Sequence, residues 1–495
     1  MGLNARFALS KLMLSSLLVS SSIHASPQAC FDASNQDFSE VLVCYKKAED
    51  ANPLVYSVKG NTPFPGVEKR SFELSSQQWS PQGLVSPIQW KHTVDIYIPD
   101  NALHGQSLLV ANNGTPNAGP DNADEPTDFT EAMALEVARR TRTIVISVSN
   151  IPNQYLTYAD DGIARTEDAS VAHSWKLFLE DPHQRPYMSV RLPMVVSMVK
   201  AMDLAQRELQ PWGIERFIAS GASKRGWTTW LAAIADDRIT AIVPFVIDVL
   251  GMDNVLEHTY QSYGKNWPLA FFDYHHEGIT QQIKTENFAR LMKIEDPLKY
   301  LNTGYAERLA IPKYIVNASS DDFFLPDNSQ FFFDQLPGPK ALRVAPNASH
   351  YGINRFVENS LIPVINRWQQ DKPLPTISVR PGPGPELAPQ SLGLHFSESP
   401  VRVVQWTAVN PIARDFRYPC GVRYEPEDVR LTALLNTQVF IDKPETGWKA
   451  TFIEATFADG FVSTTPVQVI PTDYPIQAPP VIEPACRTIA EAAQR

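Results

Sequence analysis

Beyond its N-terminal segment this 495-residue chain has no long apolar run and no cluster of basic residues. Without a later stretch of roughly 20 apolar residues a membrane-spanning helix is excluded there, so an integral membrane protein is not expected. Lys and Arg number 43 against 54 Asp and Glu, a formal net charge of -11. Phosphate binding draws its affinity from clustered cations, so no nucleic-acid partner is expected. Cysteine is scarce as well, with four in the whole chain and neither a C-x-x-C pair nor a Cys/His group at zinc spacing. The sequence therefore calls for no metal and no cofactor. Internal repeats are absent, and no feature assigns an oligomeric state.

What is present points outward from the cell. The opening MGLNARFALSKLMLSSLLVSSSIHAS sets Arg6 and Lys11 before an apolar segment at 12–19 and then small residues to Ala25. That order is the pattern of a cleaved signal peptide over residues 1–25 and implies a periplasmic or secreted protein. All four cysteines lie after the expected cut, an even number suited to an oxidising compartment. Each pair sits near one terminus, so Cys30–Cys44 and Cys420–Cys486 are the expected disulfides, although spacing alone does not fix connectivity. A chain that is 43% hydrophobic buries a large core, and its length suggests more than one domain.

Short apolar runs at 90–97, 107–111, 143–148, 216–219, 241–247, 313–317 and 341–345 read as strands. Helical patterns at 129–140 and 192–209 lie between some of them, the second with Pro193 in its first turn. Strands alternating with helices predict an α/β fold, a mostly parallel sheet with helices on both faces. Residues 248–305 break this rhythm with a crowd of aromatics, either a lid or pocket wall or a small helical subdomain. The Pro-rich DKPLPTISVRPGPGPELAPQ, beginning at Asp371, marks the end of an α/β domain spanning 26–373. β-branched and aromatic runs beyond it predict a C-terminal β-sandwich over 374–495.

The chemistry gathers around IASGASKRGWTTWL, residues 218–231, where Ser223 falls between a strand end and helical sequence. A serine in such a corner is either a helix N-cap or the nucleophile of a strained elbow. Gly221 suits the elbow, but Arg225 stands where G-x-S-x-G has its second glycine, and Gly226 follows one residue later. Two later strand ends add partners. Asp321 and Asp322 follow the strand at 313–317, and His350 follows the strand at 341–345. Serine, acid and histidine thus occur in the α/β-hydrolase order, separated by about a hundred and then about thirty residues.

Such a trio supplies a weak nucleophile with a base, and the base with a carboxylate that orients it. Asp322, and Asp248 at the end of the preceding strand, are the alternative acids. Oxyanion donors are expected from the backbone of Lys224 and from the ANNGTPN loop, at Gly114 and Thr115. The Lys224 and Arg225 side chains read as a solvated pair or as a site for an anionic substrate group, and Trp227 and Trp230 as core. His275-His276-Glu277 does not read as a metal site, because neighbouring side chains diverge.

Several segments together resemble the PhoPQ-activated pathogenicity-related proteins: SGASKRGWTTWL, SSDDFFLPDNS, RVAPNASH, RTEDASVAHSWKLFL, RLPMVVSMVKAMD and the W-x-A-x-N-P-x-A-R-D-F-R pattern at 406–417. The resemblance implies an exported, virulence-associated bacterial protein with an α/β-hydrolase domain and a C-terminal β-domain. It also implies Ser223, Asp321 and His350 as the triad, with GASKRG as the family's own form of the elbow, and it favours Asp321 over Asp322. It supplies no substrate. The expected activity is a serine hydrolase acting on a small-molecule or peptide ester or amide; the alternatives are a serine peptidase of the same fold and a non-enzymatic binding or signalling protein on a hydrolase scaffold.

Overall fold

A strand covered on both faces has no polar side to display, so it reads as an unbroken apolar run. The seven runs above all join one sheet, six of them in this way, while the run at 90–97 alternates buried and exposed residues in its first half. The computed structural model describes residues 26–116, 126–381 and 390–490, and within it the central sheet has nine strands. In chain order they are β1 (Val55–Phe64), β2 (Val67–Gln78), β3 (Gln89–Pro99), β4 (Gln106–Ala111), β5 (Ile144–Val148), β6 (Arg216–Ala222), β7 (Ile239–Phe245), β8 (Lys313–Ala318) and β9 (Lys340–Ala345). Their order across the sheet is β1-β2-β3-β5-β4-β6-β7-β8-β9. The first three are antiparallel, β3 also runs antiparallel to β5, and every pairing from β5 to β9 is parallel. This is the α/β-hydrolase arrangement, which brings the carboxyl ends of β6, β7, β8 and β9 together along one edge.

Two short helices near the N-terminus, α1 (Pro27–Ala33) and α2 (Val41–Asp50), are joined by the Cys30–Cys44 disulfide, with Cα atoms 5.5 Å apart. The expected signal peptide, residues 1–25, lies outside the described residues. Next come α3 (Glu131–Thr141), α4 (Glu167–Glu180), α5 (Arg191–Glu208) and α6 (Lys224–Ala235). On one side of the sheet α4, α5 and α6 share a hydrophobic core with β2, β3 and β5, and α3 lies on the other side with α9 (Val357–Gln369). Thr130 caps α3 by accepting from the Met133 N–H, and Arg142 ends it in a left-handed conformation. Fourteen of the 18 residues of α5 are buried, so this helix is core except toward its C-terminal end.

The aromatic span contributes α7 (Met252–Ser262) and α8 (Glu286–Glu295), with short turns between them. Beyond α9 the chain makes antiparallel sheets of three and five strands. One strand, Ile377–Pro381, runs inside the Pro-rich stretch that marks the expected domain boundary. It is an edge strand, where a missing N–H costs no ladder hydrogen bond. Along Trp448–Thr456, Ala450 and Phe452 join one core cluster while Ile453 and Ala455 join the other. The C-terminal sheets therefore share both main cores. No helix among the described residues is long and apolar enough to cross a membrane.

Candidate active site

Ser223 is the residue between β6 and α6, with φ 55° and ψ -127°. It occupies the N-cap position, yet its side chain makes no capping hydrogen bond to the helix. A left-handed φ is costly for a residue with a Cβ, so the turn is strained and held by its surroundings. The Ser223 N–H donates to the Phe245 carbonyl at 2.9 Å. Two glycines let helix and strands close on this turn. A Cβ at Gly221 would lie 2.7 Å from the Arg225 backbone, and one at Gly226 would lie 2.9 Å from the carbonyls of Gly221 and Phe245. Gly226 therefore does the packing work that G-x-S-x-G assigns to the position before it.

His350 follows β9 and is buried. Its Nδ1 faces both oxygens of Asp321, at 2.9 and 3.0 Å. Asp321 in turn accepts from the backbone N–H groups of Phe323 at 2.7 Å and Phe324 at 3.2 Å. The carboxylate is thus fixed by its own turn and fixes the ring. Burial pushes the His350 pKa down, but the Asp321 charge and hydrogen bond outweigh it and leave the value above 6.5.

Neither alternative acid shares the ring contact. Asp322 is pushed up to about 6 by burial and by the neighbouring Asp321 charge. Asp248 is buried, with one carboxyl oxygen unpartnered, and burial together with the charges of Asp321 and Asp327 raises it well above the usual carboxylate range.

The loop after β4 is braced at its neck. Asn112 accepts from the N–H groups of Asn113 and Phe129, and the Asn113 side chain bridges to Thr127 and Asp128. Gly114 has φ 122°, a conformation that favours glycine, and its carbonyl accepts from Gln154 at 3.0 Å. The Asn113 N–H is occupied by Asn112, and the lining of the cleft at Ser223 includes Asn113 but neither Gly114 nor Thr115. The Lys224 carbonyl accepts from Arg191 at 2.7 Å and from Thr228 at 2.9 Å, which steadies the first turn of α6. Arg191 itself is fully buried, pairs with Glu295 at 3.2 Å and lies over the Trp227 ring at 4.4 Å.

One reading of the side chains is corrected. Lys224 and Arg225 are not solvated: their exposures are 6% and 3%. Lys224 pairs with Glu167 at 2.7 Å and Asp168 at 3.2 Å, and Arg225 pairs with Glu167 at 2.6 Å and Asp128 at 3.1 Å. Burial alone would lower both cations, but these carboxylates hold their pKa values up, and the cations hold Glu167 below its usual range. The sequence reading missed Asp128, Glu167, Asp168, Arg191 and Glu295. The available signals were an acidic pair opening α4 and an arginine opening the mostly apolar first half of α5.

Two cavities meet at Ser223. One is a polar cleft of about 250 Å³ whose lining includes Asn113, Glu167, Arg225 and His350. The other is an apolar cavity of about 50 Å³, walled in part by Trp227, Met252, Leu256 and Phe271. Trp227 thus serves as cavity wall as well as core. Away from this site, Asp160, Asp161 and His173 place possible metal-ligand atoms within 4.8 Å of one another. These groups already have partners within the protein: Arg165 clamps Asp161, and His173 lies 3.1 Å from Asp160 and 3.0 Å from Glu277.

Comparison with known proteins places this geometry in context. The family model for PhoPQ-activated pathogenicity-related protein matches residues 42–417. Autocrine proliferation repressor protein A of Dictyostelium discoideum is 32% identical over 440 residues, covering 85% of this chain and 86% of that protein. Among solved structures, an acetyl xylan esterase from Paenibacillus sp. R4 overlays with a TM-score of 0.44 at 14% identity, over 66% of this chain and 93% of that one. Acetyl xylan esterase 1 from Thermoanaerobacterium sp. JW/SL YS485 gives 0.42 at 13% identity, over the same shares of each chain. No chemistry follows from overlays this partial.

Proposed function

This chain belongs to the PhoPQ-activated pathogenicity-related protein family, and from that premise we propose that it is an exported serine hydrolase working by acyl transfer on an ester or a peptide-like amide. The observation that carries this reading is the left-handed backbone at Ser223, in the same cleft as a His350 ring held by Asp321. Ser223 Oγ attacks the acyl carbon while His350 Nε2 takes its proton. The resulting oxyanion is met by the Lys224 N–H at the α6 terminus and by the Gly114 and Thr115 loop. Collapse breaks the bond to the leaving group, which receives the proton from His350. Water then adds to the acyl-enzyme with His350 again as base, releasing the acid and restoring Ser223. Asp321 orients the ring and stabilises its cationic form. The described chemistry needs no cofactor.

Two disulfides and the N-terminal signal pattern support export. Residues 248–305 serve as the wall of the apolar cavity, and residues 374–495 serve as the β-domain that braces them. A fluorophosphonate probe should label the wild-type protein and leave Ser223→Ala unlabelled; a folded wild type that resists the probe contradicts the reading. One observation favours a second reading, a secreted signalling protein on this scaffold: the name of the Dictyostelium relative. Undiminished effects of Ser223→Ala on responding cells would support that alternative.

A further inference from the structure

The two cavities are unlike, and Ser223, Lys224, Asp168 and Phe323 line both, forming the partition between them. His350 lines the polar cleft, whereas the lining of the apolar cavity does not include it. In acyl transfer the leaving group must lie beside the base that returns its proton, so the leaving group belongs in the cleft and the acyl group on the other side of Ser223.

The acyl side is apolar because its aromatic walls have their polar atoms paired with other protein groups. Trp227 Nε1 donates to the Glu295 carbonyl, Trp175 Nε1 to the Glu295 carboxylate at 3.1 Å, and the Tyr274 hydroxyl to Asp168 at 2.9 Å. Apart from Ser223, Asp168, Lys224 and Thr280, hydrocarbon faces the cavity, and water there has few partners. The space is also small. A cavity of about 150 Å³ accommodates benzene, so one of about 50 Å³ accommodates about two or three carbon atoms.

The cleft is larger, about 250 Å³, and is lined with hydrogen-bonding groups. Asp128, Glu167 and Asp168 face it against Lys224 and Arg225, three carboxylates to two cations, an excess that disfavours an anionic leaving group. Tyr351, 75% exposed, presents a ring at its rim.

We propose that the substrate is a short-chain acyl ester, acetyl to butyryl, of an uncharged polyhydroxylated alcohol, with the acyl group in the Trp227–Phe271 cavity and the alcohol in the Glu167–His350 cleft. This rests on the serine-hydrolase reading and goes beyond it by assigning each side of the scissile bond. The reaction consumes one water and yields the short carboxylic acid and the free alcohol.

The test measures kcat/KM for p-nitrophenyl esters from acetate to octanoate, then for sugar acetates against ethyl acetate and against acetates of anionic alcohols. At least a tenfold preference for acetate or butyrate over octanoate is expected, together with a preference for the sugar acetates. Leu256→Ala, which enlarges the cavity without touching Ser223 or His350, should move the optimum to longer acyl chains while acetate is still turned over. Preference for octanoate in the wild type, or an unchanged chain-length profile in Leu256→Ala, overturns the assignment. So does failure to hydrolyse any of these esters by protein whose Ser223 accepts the fluorophosphonate probe. Loss of probe labelling as well refutes the serine-hydrolase reading itself, which keeps the two failures distinguishable.

Discussion

Two buried carboxyl groups, Asp321 and Asp248, lie within range of each other's charge, and at the scale of residues their environments separate their roles. Asp321 has two backbone donors and the imidazole as partners, so its charge is well supported where it is. Asp248 has an unpartnered oxygen and two acidic neighbours, and its proton is held far above the usual range. Asp321→Asn should lower kcat by about 10⁴-fold through loss of ring orientation, while Asp248→Asn should leave kcat nearly unchanged. In wild type and in Asp248→Asn, kcat/KM should fall on the acid side with an apparent pKa above 6.5, because His350 must be neutral to act as base. Asp248 also affects stability. Its folded pKa lies above the unfolded value, so its contribution is fully present below the unfolded pKa and is lost as pH rises through the folded one. The Asn variant should therefore gain stability relative to wild type as pH increases, read from denaturant midpoints across pH. Equal loss of activity in both variants contradicts this division of roles.

Elements were legible from sequence where burial left a one-sided record. The parallel strands β4 to β9 appear as apolar runs because helices cover both their faces. β1 and β2 were missed, since β1 is exposed along most of its length and carries no apolar alternation. Chain order placed Asp321 and His350 at neighbouring strand ends. It had no means to show that Glu167 and Arg225 meet across 58 positions, because a half-buried ion pair and two solvated charges look the same in sequence. The tail illustrates the same limit. Thr488–Ala490 pairs with Asn266–Pro268 of the aromatic span, and the Cys420–Cys486 disulfide anchors it there. Replacing both cysteines by serine should cost about 2–4 kcal/mol and speed amide exchange across residues 248–305, with β6 still protected. Unchanged exchange in that span would show that the tail does not secure it.

Across the whole molecule the site depends on parts far apart in the chain. The body supplies Ser223, Asp321 and His350, and the aromatic span walls the apolar cavity. The C-terminal sheets hold that span: Arg414 reaches Asp327 and, at 2.8 Å, Ser262, while Asp327 meets His258 of α7 at 3.1 Å. Arg417 pairs with Asp415 at 2.7 Å and lies over Tyr263, so the W-x-A-x-N-P-x-A-R-D-F-R pattern is a clamp between sheets and body. The most direct test of the central claim is the mass of the enzyme during turnover. Acid-quenched reactions with a p-nitrophenyl ester should yield one added acyl group on the peptide carrying Ser223, absent from Ser223→Ala. Turnover that leaves Ser223 unmodified while another residue carries the acyl group would contradict the account.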